Sequence, residues 1–369
     1  MLRNLSVLFL ALFLLASSCN KEPENPQPQG TPDAALTILE VPTMAFEGQQ
    51  LTIRGKIQNY GDAPIHSMDI VWQVDEGPEH VMELNGIEVG RYEIYEFRHS
   101  EPYRATAGNH VLKVSIRRVN GEESDGDPSN DRLETTLMIA SQGVPRRVLY
   151  EEFTSSTCHP CADFNGNYFT YDYLQRNADK IAVIKYQMNW PGSGDPYYTR
   201  EGGVRRQYYG VTGVPSLFMD GKGQRLVSTA GLQQALDNEA RIPAMMELEA
   251  YYTVTSDSVV KVRVNGTSYV EGHFKLHVAV VERTTTGNVG SNGETEFHFV
   301  MMKMVPDASG TVIQTAIGES FTERLQASLQ NTHVEELDDL EVVVFVQYDE
   351  NKYVLQSAKA VEDASQIDF

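Results

Sequence analysis

Two cysteines, Cys158 and Cys161, are the residues of this sequence best suited to chemistry. A cysteine pair at this C-x-x-C spacing can close a disulfide, and as free thiols it can exchange disulfides with another protein. The chain has 3 cysteines, and the first, Cys19, lies in an export signal, so no wider framework of structural disulfides is available. The pair therefore has to be explained by itself.

The sequence around the pair predicts where the cysteines lie in the fold. Residues 147–153 are typical of a strand that ends just before Cys158, and apolar residues beyond Cys161 recur at helical spacing. A thiolate at a helix start faces unpaired amide donors and the positive end of the helix dipole, which lowers its pKa. We therefore expect Cys158 to be the exposed nucleophile and Cys161, one turn further and inside, to resolve the mixed disulfide.

The order of predicted elements around the cysteines resembles the thioredoxin fold. A strand, a C-x-x-C at the mouth of a helix, a strand, a short helix, a Val-Pro dipeptide that opens a hairpin and a final helix follow one another. In that family the proline is cis and lies against the cysteines, and Val214-Pro215 occupies the matching place. The resemblance implies that Val214 and Pro215 hold a substrate peptide in an extended form.

The same resemblance implies roles for residues next to the cysteines. His159 and Pro160 combine the proline of reducing members with a histidine found in oxidising ones, so the direction of electron flow stays open. Glu152 stands where thioredoxins carry a buried carboxylate and would shuttle a proton for the second cysteine. The alternative is that Glu152 is an exposed strand residue, because its neighbour Glu151 must point to the opposite face. Thr157 departs from the family, since many thioredoxins have tryptophan there.

Other interpretations of these motifs stay open. Trp190 lies in an aromatic loop that we expect to border the redox groove and contact substrate, although Trp190 could equally belong to the core. The cysteines could be a static staple, and a Cys-His-Cys metal site lacks a fourth ligand at a sensible spacing. One acidic turn has oxygen side chains that suit calcium, although most such turns are solvated loops. These side chains are Asp125, Asp127, Ser129 and Asp131. We expect no metal and no other cofactor.

The beginning of the chain has the pattern of an export signal. Arg3, an apolar run over residues 5–15 and small residues lead up to Cys19 in a segment that resembles the bacterial lipobox. The apolar run is shorter than the roughly 20 residues needed to cross a bilayer. We expect a lipid on Cys19 to tether the protein at the outer membrane, facing the periplasm or the surface. An ordinary secretory signal with an incidental cysteine is the alternative.

Composition and strand patterns predict a multidomain α+β protein. The length of 369 residues suggests two or three domains, and the net charge of -21 argues against nucleic acid as a partner. Short alternating strands predict β-sandwiches on both sides of an α/β region. The expected parts are a signal peptide (1–18), a lipidated cysteine with a flexible spacer (19–34), an immunoglobulin-like β-sandwich (35–142), a thioredoxin-like α/β domain (143–243) and a C-terminal β-sandwich (244–369).

Several motifs together resemble the outer membrane protein 28-related lipoproteins of Bacteroides-type bacteria. The resemblance covers roughly the last two thirds of the chain and implies a thioredoxin-like domain followed by a β-rich domain at the outer membrane. Besides the lipobox, the motifs are Tyr150-Glu-Glu-Phe-Thr-Ser-Ser-Thr-Cys-His-Pro-Cys, Asp195-Pro-Tyr with Arg205 and Tyr208, Gly213-Val-Pro-Ser, and Phe297-His-Phe-Val-Met-Met-Lys-Met-Val-Pro-Asp-Ala-Ser-Gly.

Two functions from different classes follow from these patterns. The first is thiol-disulfide exchange, in which Cys158 and Cys161 act on exported proteins that carry thiols or disulfides. The second is a surface binding or adhesion protein in which the β-domains hold a partner and the thioredoxin-like region is a scaffold. The large flanking β regions favour the second function, because simple exchange enzymes do not need them.

Overall fold

The fold is known from a computed structural model that describes residues 30–225 and 228–368. The predicted signal peptide, the lipidation site Cys19 and most of the spacer lie outside the described residues. In the described part of the chain, no helix has both the length and the hydropathy that crossing a membrane requires.

The N-terminal part consists of short strands that enclose one apolar core. The strands are β1 Ala34–Glu40, β2 Met44–Phe46, β3 Gln50–Leu51, β4 Arg54–Asn59, β5 Ile65–Val74, β6 His80–Val89, β7 Ile94–Arg98, β8 Tyr103–Arg104, β9 Gly108–Arg117 and β10 Arg132–Ala140. They form sheets of order β1-β4-β7, β2-β10-β9-β5-β6 and β3-β8. Buried and accessible positions alternate along β4 and β9, because one face of each strand packs on the core and the other meets solvent.

The central part contains all the α-helices of the described residues. Its elements are β11 Val148–Thr154, α1 His159–Asn167, α2 Tyr171–Arg176, β12 Ile181–Gln187, α3 Arg200–Tyr209, β13 Ser216–Met219, β14 Lys222–Gln224 and α4 Thr229–Glu239. Every residue of β11 and β12 is buried, which is typical of strands covered on both faces. Ser228 caps α4, and its hydroxyl accepts a hydrogen bond from the amide of Gly231.

The C-terminal part is again made of strands. They are β15 Met246–Val254, β16 Val259–Ser268, β17 Gly272–Thr285, β18 Phe297–Val305, β19 Thr311–Thr315, β20 Ser320–Ser328, β21 Leu340–Gln347, β22 Val354–Lys359 and β23 Val361–Glu362. Two short 3-10 helices cover Leu337–Asp339 and Ala364–Gln366. A four-stranded sheet of order β20-β16-β15-β23 shares an apolar core with β17 and β21.

The expectation of a separate central thioredoxin-like α/β domain between two β-domains is wrong. The central strands do not form a sheet of their own, because β12 pairs in parallel with β18 at Lys185 and Val300. One nine-stranded sheet therefore runs β14-β13-β11-β12-β18-β17-β21-β22, with β19 attached to β17. Pairing with β18 satisfies backbone groups that a free β12 edge would leave exposed. The described chain is mostly β-sheet, and its helices flank a sheet that continues into the C-terminal part.

Side chains reinforce the continuity of this sheet. A single apolar cluster contains Val148 and Ile184 from the central strands together with Val343 and Phe345 of β21. Because core residues from both regions pack on one another, the central and C-terminal parts of the chain have a common hydrophobic core. The cysteines lie at the end of β11, inside this shared structure.

Candidate functional site

The two cysteines sit at the start of α1. Cys158 is the N-cap residue with extended backbone, and its Sγ accepts a hydrogen bond from the amide of Cys161 at 3.1 Å. Pro160 lies in the first turn, where its missing N–H breaks no helical hydrogen bond. Cys158 and Cys161 form a disulfide, while His159 and Pro160 are exposed at the surface between them.

The structure places Val214 and Pro215 against this disulfide. The Val214–Pro215 peptide bond is cis, and the Val214 carbonyl oxygen lies 3.6 Å from Cys158 Sγ. Cys158 was expected to be exposed, but in the disulfide form it is only 2% exposed, and Cys161 is fully buried. The difference arises because neighbouring loops pack closely around the start of α1.

The loop that carries Trp190 is one of these neighbours. Thr157 donates its hydroxyl to the carbonyl of Pro191 at 2.6 Å, which ties this loop to the residue before Cys158. Trp190 is half-buried against the core, and the Arg206 guanidinium lies 5.5 Å from the centre of its ring. Trp190 thus combines the two positions that the sequence left open, beside the cysteine loop and on the edge of the core.

Asp195 lies at the end of the same loop and fixes its position through hydrogen bonds. One of its buried carboxylate oxygens accepts a hydrogen bond from the amide of Ser156 at 2.9 Å, and the other accepts from the amide of Tyr197 at 2.8 Å. Burial raises the pKa of Asp195, while these hydrogen bonds oppose the rise. The sequence identified Asp195 only as part of a family motif.

A segment from the C-terminal part of the chain packs against residues 155–158, which connect β11 to α1. We call residues 286–296, which connect β17 to β18, the Asn292 loop. Asn292 donates its side-chain amide to the carbonyls of Ser155 at 3.2 Å and Cys158 at 3.4 Å, and its backbone amide to the carbonyl of Ser156 at 3.0 Å. Gly290 comes so close that an added Cβ would lie 2.4 Å from the Ser156 oxygen. The loop therefore fixes the backbone from which Cys158 projects.

Glu152 is buried on the face of β11 that carries α1. Its side chain is fully buried, so the alternative of an exposed strand residue is wrong. Lys185 Nζ lies 2.9 Å from Glu152 Oε2 and also donates to Asn165 of α1 at 2.8 Å. Burial raises the pKa of Glu152, and the charge of Lys185 opposes the rise. A buried carboxylate in such surroundings can take up a proton during a reaction and release it afterwards.

Glu151 points to the opposite face of β11, as strand alternation requires, but it is also buried. It forms an ion pair with Arg205 of α3 at 2.7 Å and accepts hydrogen bonds from the hydroxyls of Tyr186 and Tyr209. Arg205 also donates to Gln347 of β21 at 3.0 Å. This network is structural, because it joins the central helices to a C-terminal strand.

Sequence reasoning missed Lys185 and Asn292. Lys185 left one local signal, since it is the single charged residue in the buried strand Ile181–Gln187. Asn292 left none, because it contacts Cys158 across 134 residues of sequence. Only the tertiary fold brings Asn292 to Cys158 and Lys185 to Glu152.

Two of the acidic side chains considered for calcium have other partners in the structure. No group of three or more His, Cys, Asp or Glu side chains among the described residues has an arrangement that could hold a metal ion. In the acidic turn considered for calcium, Asp125 accepts a hydrogen bond from the amide of Ala34, and Asp127 accepts from Ser129. Both carboxylates thus stabilise the local backbone.

Comparisons with known proteins reveal partial likenesses. No family model matches this chain, and no curated protein matches it. HBP35 of Porphyromonas gingivalis superposes with a TM-score of 0.49 and 17% identity, over 62% of this chain and 80% of that chain. The CARDB domain of the PF1109 protein from Pyrococcus furiosus, in complex with di-metal ions, has a TM-score of 0.26 and 10% identity, over 30% of this chain and 96% of that chain. A β-glucosidase from Listeria innocua has a TM-score of 0.20 and 14% identity, over 29% of this chain and 16% of that chain.

Proposed function

We propose that the protein exchanges disulfides with other exported proteins through Cys158 and Cys161. The observation that carries this proposal is the disulfide at the start of α1, with the Val214 carbonyl 3.6 Å from Cys158 Sγ. A thiolate at this position is stabilised by the amide of Cys161 and by the helix dipole. These are the features that a reversible redox couple requires.

The exchange consists of two thiol-disulfide steps. The Cys158 thiolate attacks a disulfide of the partner, forms a mixed disulfide and releases one partner thiolate. The Cys161 thiolate then attacks Cys158 Sγ, so the second partner thiolate leaves, the partner gains two electrons and the cysteines return to a disulfide. Glu152 assists by accepting the proton of Cys161, and the sequence runs in reverse when the partner is a dithiol.

Substrate binding is assigned to the surface around the disulfide. His159 and Pro160 are exposed there, and the backbone next to Pro215 can pair with an extended segment of the partner. Trp190 provides an apolar contact for the partner protein at another edge of the same surface. Because the sequence begins with an export signal and a lipobox-like segment, we place this activity at the outer membrane, with a lipid on Cys19 as the tether.

Equilibration of the purified protein in glutathione redox buffers, followed by thiol alkylation and mass measurement, tests this function. We expect a reversible couple between about -270 and -120 mV, the range of known exchange proteins. Cys158→Ser should abolish insulin reduction, and Cys161→Ser should accumulate the mixed disulfide. Glu152→Gln should slow resolution of that mixed disulfide by about 10- to 100-fold without slowing its formation. A couple below roughly -300 mV, or thiols inert at neutral pH, would contradict the proposal.

A second candidate function is partner binding by the β-sheet regions. It is favoured by a cleft of about 760 Å³ between the N-terminal strands and the C-terminal part. Met138 and Glu134 line one side of the cleft, and Glu271 and Tyr348 line the other. If binding is the function, the double variant Cys158→Ser/Cys161→Ser should capture envelope partners as well as the wild type does. Loss of capture in this variant would count against it.

A further inference from the structure

Three large apolar side chains are exposed together at one end of the N-terminal strands. Tyr60 is 45% exposed, Tyr92 57% and Ile94 56%. The rings of Tyr60 and Tyr92 meet edge to face, with centroids 6.3 Å apart. Ile94 lies opposite Gln58 of β4, whose side-chain amide donates a hydrogen bond to the Tyr92 carbonyl at 3.0 Å. We call Tyr60, Tyr92 and Ile94 the tyrosine patch, since contiguous exposed apolar groups mark a surface that contacts another molecule.

The chain enters the described structure at the same end. A Cβ added to Gly30 would lie 2.6 Å from the Cβ of Asp62, and the Asp62 backbone amide donates to the Thr31 carbonyl at 3.0 Å. Asp62 forms an ion pair with Arg91 at 2.6 Å, and the Arg91 guanidinium lies 4.8 Å from the centre of the Tyr92 ring. A chain of contacts therefore leads from the point of entry to the tyrosine patch.

The proposed lipid on Cys19 would hold this end of the protein near a membrane. Only residues 20–29 separate Cys19 from Gly30, and even a fully extended connection of that length spans at most about 40 Å. A short tether keeps the effective concentration of the anchoring surface high. A patch of three side chains can therefore hold a contact that the untethered protein could not maintain.

Strand β10 leads from the tethered end towards the rest of the protein. Just before its first residue, Asn130 donates its side-chain amide to Asp33 at 3.1 Å, so β10 begins beside the point of entry. Just after its last residue, Ser141 donates its backbone amide to the carbonyl of Tyr269 in the C-terminal part at 2.9 Å. A strand of 9 residues spans about 30 Å, so these two contacts lie at opposite ends of the N-terminal strands.

The charges near the tyrosine patch favour a zwitterionic surface over an anionic one. Arg91 is already paired with Asp62, Glu93 adds an exposed carboxylate, and the whole chain has a net charge of -21. An anionic lipid surface would repel this distribution of charge. Tyrosine suits the boundary between lipid and water, because its ring is apolar and its hydroxyl can stay among the hydrated headgroups.

We propose that the tyrosine patch rests on the zwitterionic surface of the bilayer to which Cys19 is anchored. The two rings and the Ile94 side chain insert at the level of the lipid headgroups. The N-terminal strands then separate the bilayer from the central part that carries the disulfide. The inference rests on the proposed lipid anchor, but it does not depend on disulfide exchange.

The oxidised protein offers a chemical anchor for the test. With Cys158 and Cys161 joined in a disulfide, Cys19 is the remaining thiol of the 3 cysteines in the sequence. Residues 19–369 can therefore be coupled through Cys19 to a maleimide lipid in phosphatidylcholine vesicles. The coupling replaces the natural lipid, so the result does not depend on whether the cell modifies Cys19.

Tryptophan reporters then measure insertion, because brominated acyl chains quench tryptophan only at close contact. We expect the fluorescence that Tyr92→Trp adds to the wild-type signal to be about twofold lower in dibromo-phosphatidylcholine vesicles than in ordinary ones. Tyr171→Trp, at an exposed tyrosine of α2, is the matched control and should emit equally in both. Equal emission of Tyr92→Trp in the two kinds of vesicle would overturn the proposal.

A second pair of variants separates the patch from the tether. In the Tyr92→Trp protein, Tyr60→Ser/Ile94→Ser should reduce the quenching about twofold, because less apolar surface is left to insert. Val312→Ser, at an exposed position of β19, should leave the quenching unchanged. Undiminished quenching in Tyr60→Ser/Ile94→Ser would refute the patch. The mass of the Cys19 peptide from membrane-extracted protein tests the natural lipid separately, and an unmodified thiol there would overturn the anchor.

Discussion

The adjacent buried glutamates of β11, Glu151 and Glu152, have different electrostatic surroundings. Arg205 donates two hydrogen bonds to one carboxylate oxygen of Glu151, and the hydroxyls of Tyr186 and Tyr209 donate one each, so the charge of Glu151 has several partners. Glu152 has only the ammonium group of Lys185, and burial raises its pKa. The difference explains why we assign proton transfer to Glu152 and a structural role to Glu151.

His277 makes the stability of the protein depend on pH. It is 3% exposed, it stacks on Phe345, and neither ring nitrogen has a partner in the described structure. Burial lowers its pKa well below the ordinary value, and the charges of Arg205 and Lys275 lower it further. The unfolded chain therefore takes up a proton below about pH 6.5 that the folded chain refuses, so this contribution to stability is present above that pH and is lost as the pH falls.

His277→Phe tests this linkage. We expect the variant to be more stable than the wild type at pH 5 by about 1 to 2 kcal/mol, with the difference shrinking towards pH 7. Urea unfolding at pH 5, 6, 7 and 8 measures it. His66→Phe, at an exposed histidine of β5, is the matched control. Parallel stability curves for wild type and His277→Phe would show that His277 is not the responsible group.

We expect the hydrogen bonds made by the Asn292 loop to limit the reactivity of the Cys158–Cys161 disulfide. Asn292→Ala deletes the hydrogen bonds to the carbonyls of Ser155 and Cys158, so the start of α1 becomes less well fixed and more accessible. We expect glutathione to reduce the disulfide several-fold faster and the unfolding free energy to fall by about 1 to 2 kcal/mol. Stopped-flow reduction measures the first effect. Ser291→Ala, at an exposed position in the same loop, should react at the wild-type rate. If both variants react alike, the loop does not control access.

Local sequence patterns predicted where the strands and helices lie better than they predicted which strands pair with each other. Residues 147–153 were predicted as a strand, and the structure has β11 at Val148–Thr154. The helical spacing after Cys161 was continuous in sequence, but the structure divides it into α1 and α2, with Thr170 capping the second helix. The parallel pairing of β12 with β18 could not be predicted, because an apolar strand is buried equally well beside many neighbours.

At the scale of the whole molecule, the continuous sheet predicts that the central region cannot fold alone. A fragment of residues 143–243 would lose β18 from the edge of β12 and would lose Val343 and Phe345 from its core. It would also lose Tyr353, whose hydroxyl contacts Arg146 at 2.6 Å. We expect this fragment to lack a cooperative thermal transition, whereas residues 143–368 should show one. Cooperative unfolding of the short fragment by circular dichroism would contradict this view of the fold.

Because Cys158 and Asn292 are far apart in sequence, the ribosome synthesises the cysteines well before it synthesises the Asn292 loop. The 134 residues that separate them take on the order of ten seconds to synthesise at about 5 to 20 residues per second. During that interval the two cysteines are present without the segment that later covers them. A chain that has been synthesised only as far as the cysteines therefore exposes a pair that the complete, folded chain keeps buried.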